Sequence, residues 1–480
     1  MTNNLLGKNI TEYLLRHFDK NFVDNYNEYL NSTPAAYIRI ASNVNADQLI
    51  ERLLHYKISL RKVYGVENAY EILSGGDIVG KTVEYILGEY YIQSLSSMIP
   101  PLILNPGNED KVMDLCSAPG SKTTQLARLM NNSGLLYANE SSSIRVRSLV
   151  FNLEKMGIIN SGVINSKGEN LSGFFNEYFD KILVDAPCSA LGIIQKKIEV
   201  DNWWNSNQAE QLSNVQYKLL LSAIKMCKPG GEILYSTCTL TLEENELVLQ
   251  KILEKYPVEI MEIELPVKSH SAFTKFEDVE LSDEIGKARR IFPWEINSEG
   301  FFIAKLKKTG LLETAKISPG RKSSIELITA KSKKVKKLLE RLSEQYDIDE
   351  AAYDDYKFLI KGNDIFFINA EWETEHAELF LRIGNKFGKS DKREKIFLNS
   401  FAARMLDRQI KKNIFIIENA ENLKTYMTGG TIKTIYEPFG QKAVSFRGKI
   451  IGTASASANG VKSQFPRNLR TQAIVFPEKV

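Results

Sequence analysis

The sequence predicts an α/β protein, a parallel sheet with helices on both faces and smaller domains at either end. Three observations carry that reading. From about Val112 to Phe302, short apolar runs alternate with segments of helical periodicity, as a parallel sheet with crossover helices requires. Three of those runs end in a tight polar loop: VMDLCSAPGSKT, KILVDAPCSALG and GEILYSTCTLTLEEN. A chain of 480 residues is also too long for one ordinary core, so two or three domains are expected.

Taken in order, residues 1–100 mix a helical pattern (ADQLIERLLHYKI), a strand-like stretch (AYIRI) and turns near GGDIVG, which predicts a small α+β domain with an RNA-binding or accessory role. VMDL is the first strand of the sheet and TTQLARLM the helix after it. Gly134 turns the chain into LLYANE, and SSIRVRSLVFNLEKMG is the next helix, ended by Gly157. GVIN, KILVDA and GEILYS are three further strands. The helix QAEQLSNVQYKLLLSAIKMC closes at Lys228-Pro229-Gly230-Gly231, a turn signal. EGFFIAKLKK is expected to finish the sheet as an antiparallel strand. These boundaries give a central domain over 101–312. The shift to Gly, Ser, Lys and Pro around TGLLETAKISPGRKSS marks a basic linker and helix over 313–345. A C-terminal α+β domain over 346–480 follows, with strands in YKFLIKGNDIFFINA and KAVSFRGKIIGTA and a polar turn, NGVKSQFPRNLR.

Hydrophobic content of 43% and charged content of 25% are those of a soluble globular protein. The four cysteines are far apart, form no CxxC pair and are accompanied by four histidines, which argues against a disulfide framework or any metal site. The first residues lack a signal-peptide layout and no apolar run approaches membrane-spanning length, so a cytoplasmic protein is expected. The net charge of +3 is unevenly spread: residues 301–340 hold eleven Lys or Arg against three Glu. The stretch from Lys305 to Lys337 is either a phosphate-contacting surface or a solvated helix face.

In open α/β sheets, ligands collect beyond the carboxyl ends of the strands. The loop after VMDL is not a phosphate-binding P-loop, which needs glycines where this chain has Ser121 and Cys116. It fits a methyl-donor nucleotide site instead: Asp114 ends one strand, small residues follow, and Glu140 ends the next, placed to accept both ribose hydroxyls. An ordinary strand-to-helix turn with surface carboxylates is the alternative. Cys188 and Cys238 lie in strand-end turns of neighbouring strands. Thr237, Thr239 and a helix starting at Leu242-Glu243-Glu244 would favour the Cys238 thiolate, and Asp185 stands beside Cys188. Cys227, within SAIKMCK, reads as packing. Trp203-Trp204 either stack on a base or pack in the core.

The runs DLCSAPGSKTTQLA, LVDAPCSALG and YSTCTLTLEENE resemble the signature motifs of the RNA 5-methylcytosine methyltransferases, the Nop/Sun (RsmB/RsmF) family. GEYYIQSLSSMIP is similar to the segment ahead of the family's cofactor loop, and VKSQFPRNLR, with the length of the C-terminal region, points to the RsmF-like branch. The resemblance spans most of the chain from about Gly88. It implies a Rossmann-like class I S-adenosylmethionine methyltransferase domain and a C-terminal PUA-like RNA-binding domain. By the same match Cys238 attacks carbon 6 of cytosine, Cys188 helps resolve the adduct and Asp185 hydrogen-bonds the ring. Cys116, Ser117, Ala118, Pro119, Gly120, Ser121 and Lys122 bind S-adenosylmethionine, with Asp185, and Glu140 sits on its ribose. Lys462, Arg467 and Arg470 resemble the RNA-binding end.

Several positions depart from the family pattern. Ser121 replaces a glycine, Lys167 stands where an aspartate is usual, Ser-Gly-x-Gly reads Ser189-Ala190-Leu191-Gly192, and Arg-Val-Asn reads Arg39-Ile40-Ala41. No reacting group is lost. The expected function is therefore methylation of an RNA cytosine by a monomeric enzyme, on ribosomal RNA more than transfer RNA. A catalytically weak, RNA-binding assembly factor is the alternative that the departures motivate.

Overall fold

The computed structural model describes residues 6–196, 204–312, 325–373, 375–392 and 394–476. Its centre is a ten-stranded mixed sheet. Five parallel strands form the middle: β1 (Lys111–Asp114), β2 (Leu135–Asn139), β3 (Ser161–Ile164), β4 (Phe179–Asp185) and β5 (Cys227–Thr237). β6 (Val258–Met261), β7 (His270–Ser271), β8 (Arg289–Ile291), β9 (Phe301–Lys308) and β10 (Phe380–Ile383) complete it. The order is β7-β8-β9-β5-β4-β1-β2-β3-β10, with β6 also paired to β9. Every residue of β2 is buried, the continuous apolar signature of a strand covered on both faces.

The helices α1 (Ser121–Leu129), α2 (Ser143–Lys155), α3 (Ser206–Met226) and α4 (Glu246–Leu253) cover this sheet. Parallel register levels the strand ends: Asp114 lies opposite Ala138 and Leu183, and Asp185 opposite Ser236. The loops after β1, β2, β4 and β5 therefore open at one edge, with the reversal of strand order at β1.

Two expectations about the sheet are corrected. β9 does not finish it: β9 lies between β5 and β8, antiparallel to both, and pairs with β6 as well. At the far edge a strand from the C-terminal region, β10, pairs antiparallel with β3. That pairing works because Gly162 leaves room for the Phe380 ring, which a Cβ would meet at 2.5 Å. The anticipated turn at Lys228–Gly231 lies within β5, where the register shifts between Phe179↔Cys227 and Lys181↔Glu232. Cys227 is thus not a helix residue but the first of the strand, and it is buried as expected.

The N-terminal region opens with two helices, Lys8–His17 and Lys20–Asn31, and contains a four-stranded antiparallel sheet. Leu14, Phe22 and Tyr26 of the helices pack with Leu191, Ile194, Trp204 and Leu240, over the loops that follow Cys188 and Cys238. Trp204 is 2% exposed, with its ring 5.1 Å from that of Tyr13, so it is a core residue and does not stack on a base. Trp203 lies outside the described residues.

The basic run divides into parts with different fates. Lys305 and Lys308 belong to β9: Lys308 is fully buried, bonded to Glu177 (2.9 Å) and the Cys227 carbonyl (3.0 Å), and Lys305 pairs with Glu232 (3.0 Å). They hold the sheet, and so fit neither the phosphate-contacting surface nor the solvated helix face that the basic run suggested. Lys316, Arg321 and Lys322 lie outside the described residues. The helix α5 (Lys333–Tyr346) is not a linker, because Val335, Leu338, Leu339, Leu342 and Tyr346 enter the C-terminal core. Its outer face pairs Lys334 with Glu326, Lys336 with Glu340 and Lys337 with Glu394, a solvated face of local ion pairs. Two five-stranded sheets complete this region. There Lys462 donates to the Gly429 carbonyl and Arg470 to that of Phe465, bracing the terminal turn.

Candidate active site

The loop after β1 is shaped by contacts at both ends. Gly120 adopts φ 105°, where a Cβ would also meet Leu149 at 3.2 Å, so this backbone needs glycine. Ser121, at the departed glycine position, opens α1. Its carbonyl accepts from buried Arg39 (3.2 Å), which also bonds Thr124 (2.9 Å) and Gln93 (2.9 Å). With no carboxylate partner, burial pulls the Arg39 guanidinium down to about 9. The N-terminal domain thus anchors the end of the β1 loop, where α1 begins.

Two clefts adjoin beyond the strand ends, sharing Cys116, Ala118, Arg145 and Asp185 in their walls. One, of about 650 Å³, is lined by Glu140, Lys167, Pro187, Cys188 and Cys238. The other, of about 630 Å³, is lined by Tyr37, Asp114, Ser117, Lys122, Lys196 and Glu299. Both are within the size range of small-molecule sites.

At their junction Lys122 Nζ donates to Asp185 Oδ2 (2.7 Å), while Ser236 Oγ donates to Asp185 Oδ1 (2.9 Å). The carboxylate is thereby oriented on both oxygens. Burial alone would depress the Lys122 ammonium, but Asp185 overcomes it and holds the group raised, hence protonated. The ammonium also lies 5.1 Å from the centre of the Phe301 ring.

The two thiols meet. Cys188 Sγ and Cys238 Sγ are 3.1 Å apart, both half-buried. The bond to Cys238, then burial, pushes the Cys188 thiol well up. The expected stabilisation of Cys238 by a helix start is absent: α4 begins only at Glu246, because Leu242–Asn245 form a turn that folds back on the site. The flanking hydroxyls are also committed, Thr237 to Asn245 (2.6 Å) and Thr239 to Ser189 (2.8 Å). Cys238 adds to Asp185 in holding the Lys122 ammonium raised.

Asp114 and Glu140 differ in their surroundings. Asp114 is 1% exposed; its Oδ2 accepts from Thr123 (2.7 Å) and its Oδ1 has no partner. Burial raises its carboxyl to about 7. Glu140 Oε1 accepts from the Ser142 amide (2.8 Å), and Oε2 faces Arg145 at 3.3 Å. Arg145 also donates to the Ala118 carbonyl, linking that carboxylate to the β1 loop. Asn165 donates to the Glu140 carbonyl (2.6 Å), and exposed Lys167 lines the same cleft. These groups fit a nucleoside that carries an amino acid. Glu140 keeps lone pairs for ribose hydroxyls, and an orphaned buried carboxylate oxygen calls for a donor such as an ammonium group.

Sequence reasoning missed the hub beneath the thiols. Glu244, fully buried, accepts from the Ser189 amide (2.9 Å) and hydroxyl, Gln216 Nε2 (2.8 Å) and Thr241 Oγ1 (2.8 Å). Gln216 also donates to the Pro187 carbonyl (2.9 Å), and the Gly192 amide to the Cys238 carbonyl (2.9 Å). One carboxylate therefore ties the Cys188 loop to the turn after Cys238. Only the acidic run LEEN hinted at it.

Residues 101–307 match the family profile described as 16S rRNA methyltransferase RsmB/F. The chain is 32% identical over 400 residues to Ribosomal RNA small subunit methyltransferase F of Vibrio campbellii, covering 82% of this chain and 81% of the relative. It is 34% identical over 305 residues to tRNA (cytosine(49)-C(5))-methyltransferase of Pyrococcus abyssi, covering 63% and 97%. Among solved structures, a methyltransferase homolog protein from Pyrococcus horikoshii is 31% identical, with a TM-score of 0.54, over 63% of this chain and all of that one. With the strand-end cysteine pair, the Lys122–Asp185 couple and the sheet order already in hand, the chain belongs to the RsmB/F family of RNA methyltransferases.

Proposed function

We propose that this protein transfers a methyl group from S-adenosylmethionine to carbon 5 of a cytosine in RNA, through a covalent Cys238 adduct. The observation that carries the reading is the 3.1 Å approach of Cys188 and Cys238 beside the Lys122–Asp185 pair. S-adenosylmethionine, when bound, supplies an electrophilic methyl on a sulfonium. Glu140 would hold its ribose, with Cys116, Ser117, Ala118, Pro119, Gly120, Ser121 and Lys122 forming the loop around it and Asp114 accepting from its amino group.

Carbon 5 of cytosine is a weak nucleophile until a group adds to carbon 6. Cys238 would form that carbon–sulfur bond as a thiolate, with protonated Lys122 close enough to favour its charge. Asp185, oriented by Lys122 and Ser236, would accept from the amino group, and from N3 once N3 is protonated as charge moves into the ring. After methylation a water molecule takes the carbon-5 proton; its bonding pair restores the 5,6 double bond and expels the Cys238 sulfur, toward which the Cys188 S–H would donate. Cys188 lies beside the sulfur that departs and would assist that elimination. A paired base must first be unstacked, at a cost of roughly a few kcal/mol.

Small-subunit ribosomal RNA is the favoured substrate. The relatives named for it match this chain beyond the catalytic domain, up to 93% of its length in Shewanella sediminis, whereas the tRNA enzyme matches 63%. A monomer acting in the cytoplasm completes the reading. Bisulfite sequencing of ribosomal and transfer RNA from cells with and without the gene tests it. Loss of one protected cytosine in small-subunit RNA is expected, and a loss confined to transfer RNA would reassign the substrate.

A further inference from the structure

The two thiols face each other at 3.1 Å yet are asked to do different work, one attacking and one releasing. Nothing in their shared contact distinguishes them. Their other neighbours do. The titratable groups around Cys188 are Cys238, Glu244 and the Tyr235 phenol, with Asp185 and Cys116 lining the same cleft. Cys238, by contrast, couples to the Lys122 ammonium, which it helps hold raised, with Asp185 in the same cleft. A carboxylate thus stands behind one sulfur and a cation near the other.

Glu244 is built as an anion. Its two oxygens receive four donors, two each: Ser189 Oγ and Thr241 Oγ1 on Oε1, and the Ser189 amide and Gln216 Nε2 on Oε2. A carboxylic acid would have to turn its own proton toward one of those donors, so the full set suits the ionised, acceptor-only form. Among the described residues no cation pairs with it; Arg290 is committed to Glu246 through Nε (2.6 Å) and Nη2. Burial pushes the Glu244 carboxyl up, and the Ser189, Gln216 and Thr241 donors oppose that. The residue bonded to it twice, Ser189, directly follows Cys188.

We propose that Glu244 is the positioning residue that makes the two cysteines unequal: its buried carboxylate clamps the Cys188 loop and keeps the proton shared by the pair on Cys188, leaving Cys238 as the sulfur that attacks. The placement gives each sulfur the electrostatics its step needs. The anion behind Cys188 disfavours a second thiolate 3.1 Å from the first, while Lys122 favours the charge on Cys238. This rests on the proposed roles of the two cysteines, and its test is separable from them because neither RNA nor methyl donor takes part.

The measurement uses the full chain carrying Cys238→Ala, so that Cys188 titrates without its partner. Iodoacetamide alkylation of Cys188 is followed peptide by peptide by mass spectrometry across pH. Adding Glu244→Gln, which keeps the shape and removes the charge, is expected to lower the midpoint of Cys188 alkylation by about one pH unit. Glu244→Asp, which keeps the charge, should leave it near the starting value. A midpoint that does not move with Glu244→Gln overturns the proposal, since a purely structural clamp would not shift a titration in this direction. If Glu244→Gln does not fold, infrared detection of the Cys188 S–H in the Cys238→Ala protein at mildly alkaline pH decides instead. A protonated thiol is expected, and a thiolate overturns the proposal.

Discussion

Replacing Lys122 by Met removes the cation that ties the cofactor loop to the strand-end carboxylate while keeping most of the side-chain volume. The structure allows the two consequences to be separated. For stability, the Lys122 side chain is 10% exposed and Asp185 27%, and Asp185 retains its bond from Ser236. The loss should therefore be on the order of 1 kcal/mol, well below the roughly 3–5 kcal/mol expected when one partner of a fully buried pair is removed. For chemistry, Asp185 loses the donor that orients Oδ2, and Cys238 loses its neighbouring charge. Removing one preorganised group of this kind typically costs about 10²–10³ in kcat, or roughly 2.7–4 kcal/mol. Because the Lys122 pKa is raised by folding, its contribution to stability is complete below the ordinary lysine value and is lost only as pH climbs through the higher folded value. The defect should thus persist across neutral pH. Single-turnover transfer of a labelled methyl group to RNA reads it, with urea melts confirming the fold. A Lys122→Met rate within twofold of the parent protein refutes the reasoning.

Two further outcomes follow from buried groups. Asp114, raised to about 7 by burial, must ionise to accept an ammonium group, so affinity for S-adenosylmethionine should rise roughly tenfold between pH 6 and pH 8. Calorimetry at the two pH values checks this; Asp114→Asn should abolish the dependence, and an affinity equal at both would remove Asp114 from the site. The same raised value means that Asp114 subtracts stability as pH climbs from the usual carboxylate range through about 7, because the folded state binds its proton more tightly. Arg290 and Glu246 are 1% and 0% exposed and joined through both oxygens. Arg290→Met alone should cost about 3–5 kcal/mol in urea unfolding, and Arg290→Met with Glu246→Leu should recover part of it.

The placement of the candidate residues is legible in the sequence where it is local. Asp185, Cys188 and Cys238 are each set by a strand that ends and a loop that turns within a few residues, and register alone then brings Asp185 beside Ser236. What depends on distant partners could not be read. Glu244 bonds Ser189 and Gln216, contacts that exist only after α3 and the β4 and β5 loops have assembled. β10 reads as an ordinary strand of the C-terminal region, and its place beside β3 depends on Gly162 making room for Phe380. The basic run misled for a related reason. Charge along a chain does not say which lysines will find carboxylates, and here Lys305, Lys308, Lys334, Lys336 and Lys337 all do. Ser121 proved harmless to the local fold, because the glycine that the turn requires is Gly120 and the Ser121 carbonyl is used by Arg39.

The most direct test of the central claim is where the covalent bond to RNA forms. Cys188→Ala, incubated with ribosomal RNA and S-adenosylmethionine, should accumulate a denaturant-resistant protein–RNA complex. Peptide mapping of that complex should place the nucleotide on Cys238, and Cys238→Ala should yield neither complex nor methylation. A nucleotide mapped to Cys188 or Cys116, or full methylation by Cys238→Ala, would contradict the account.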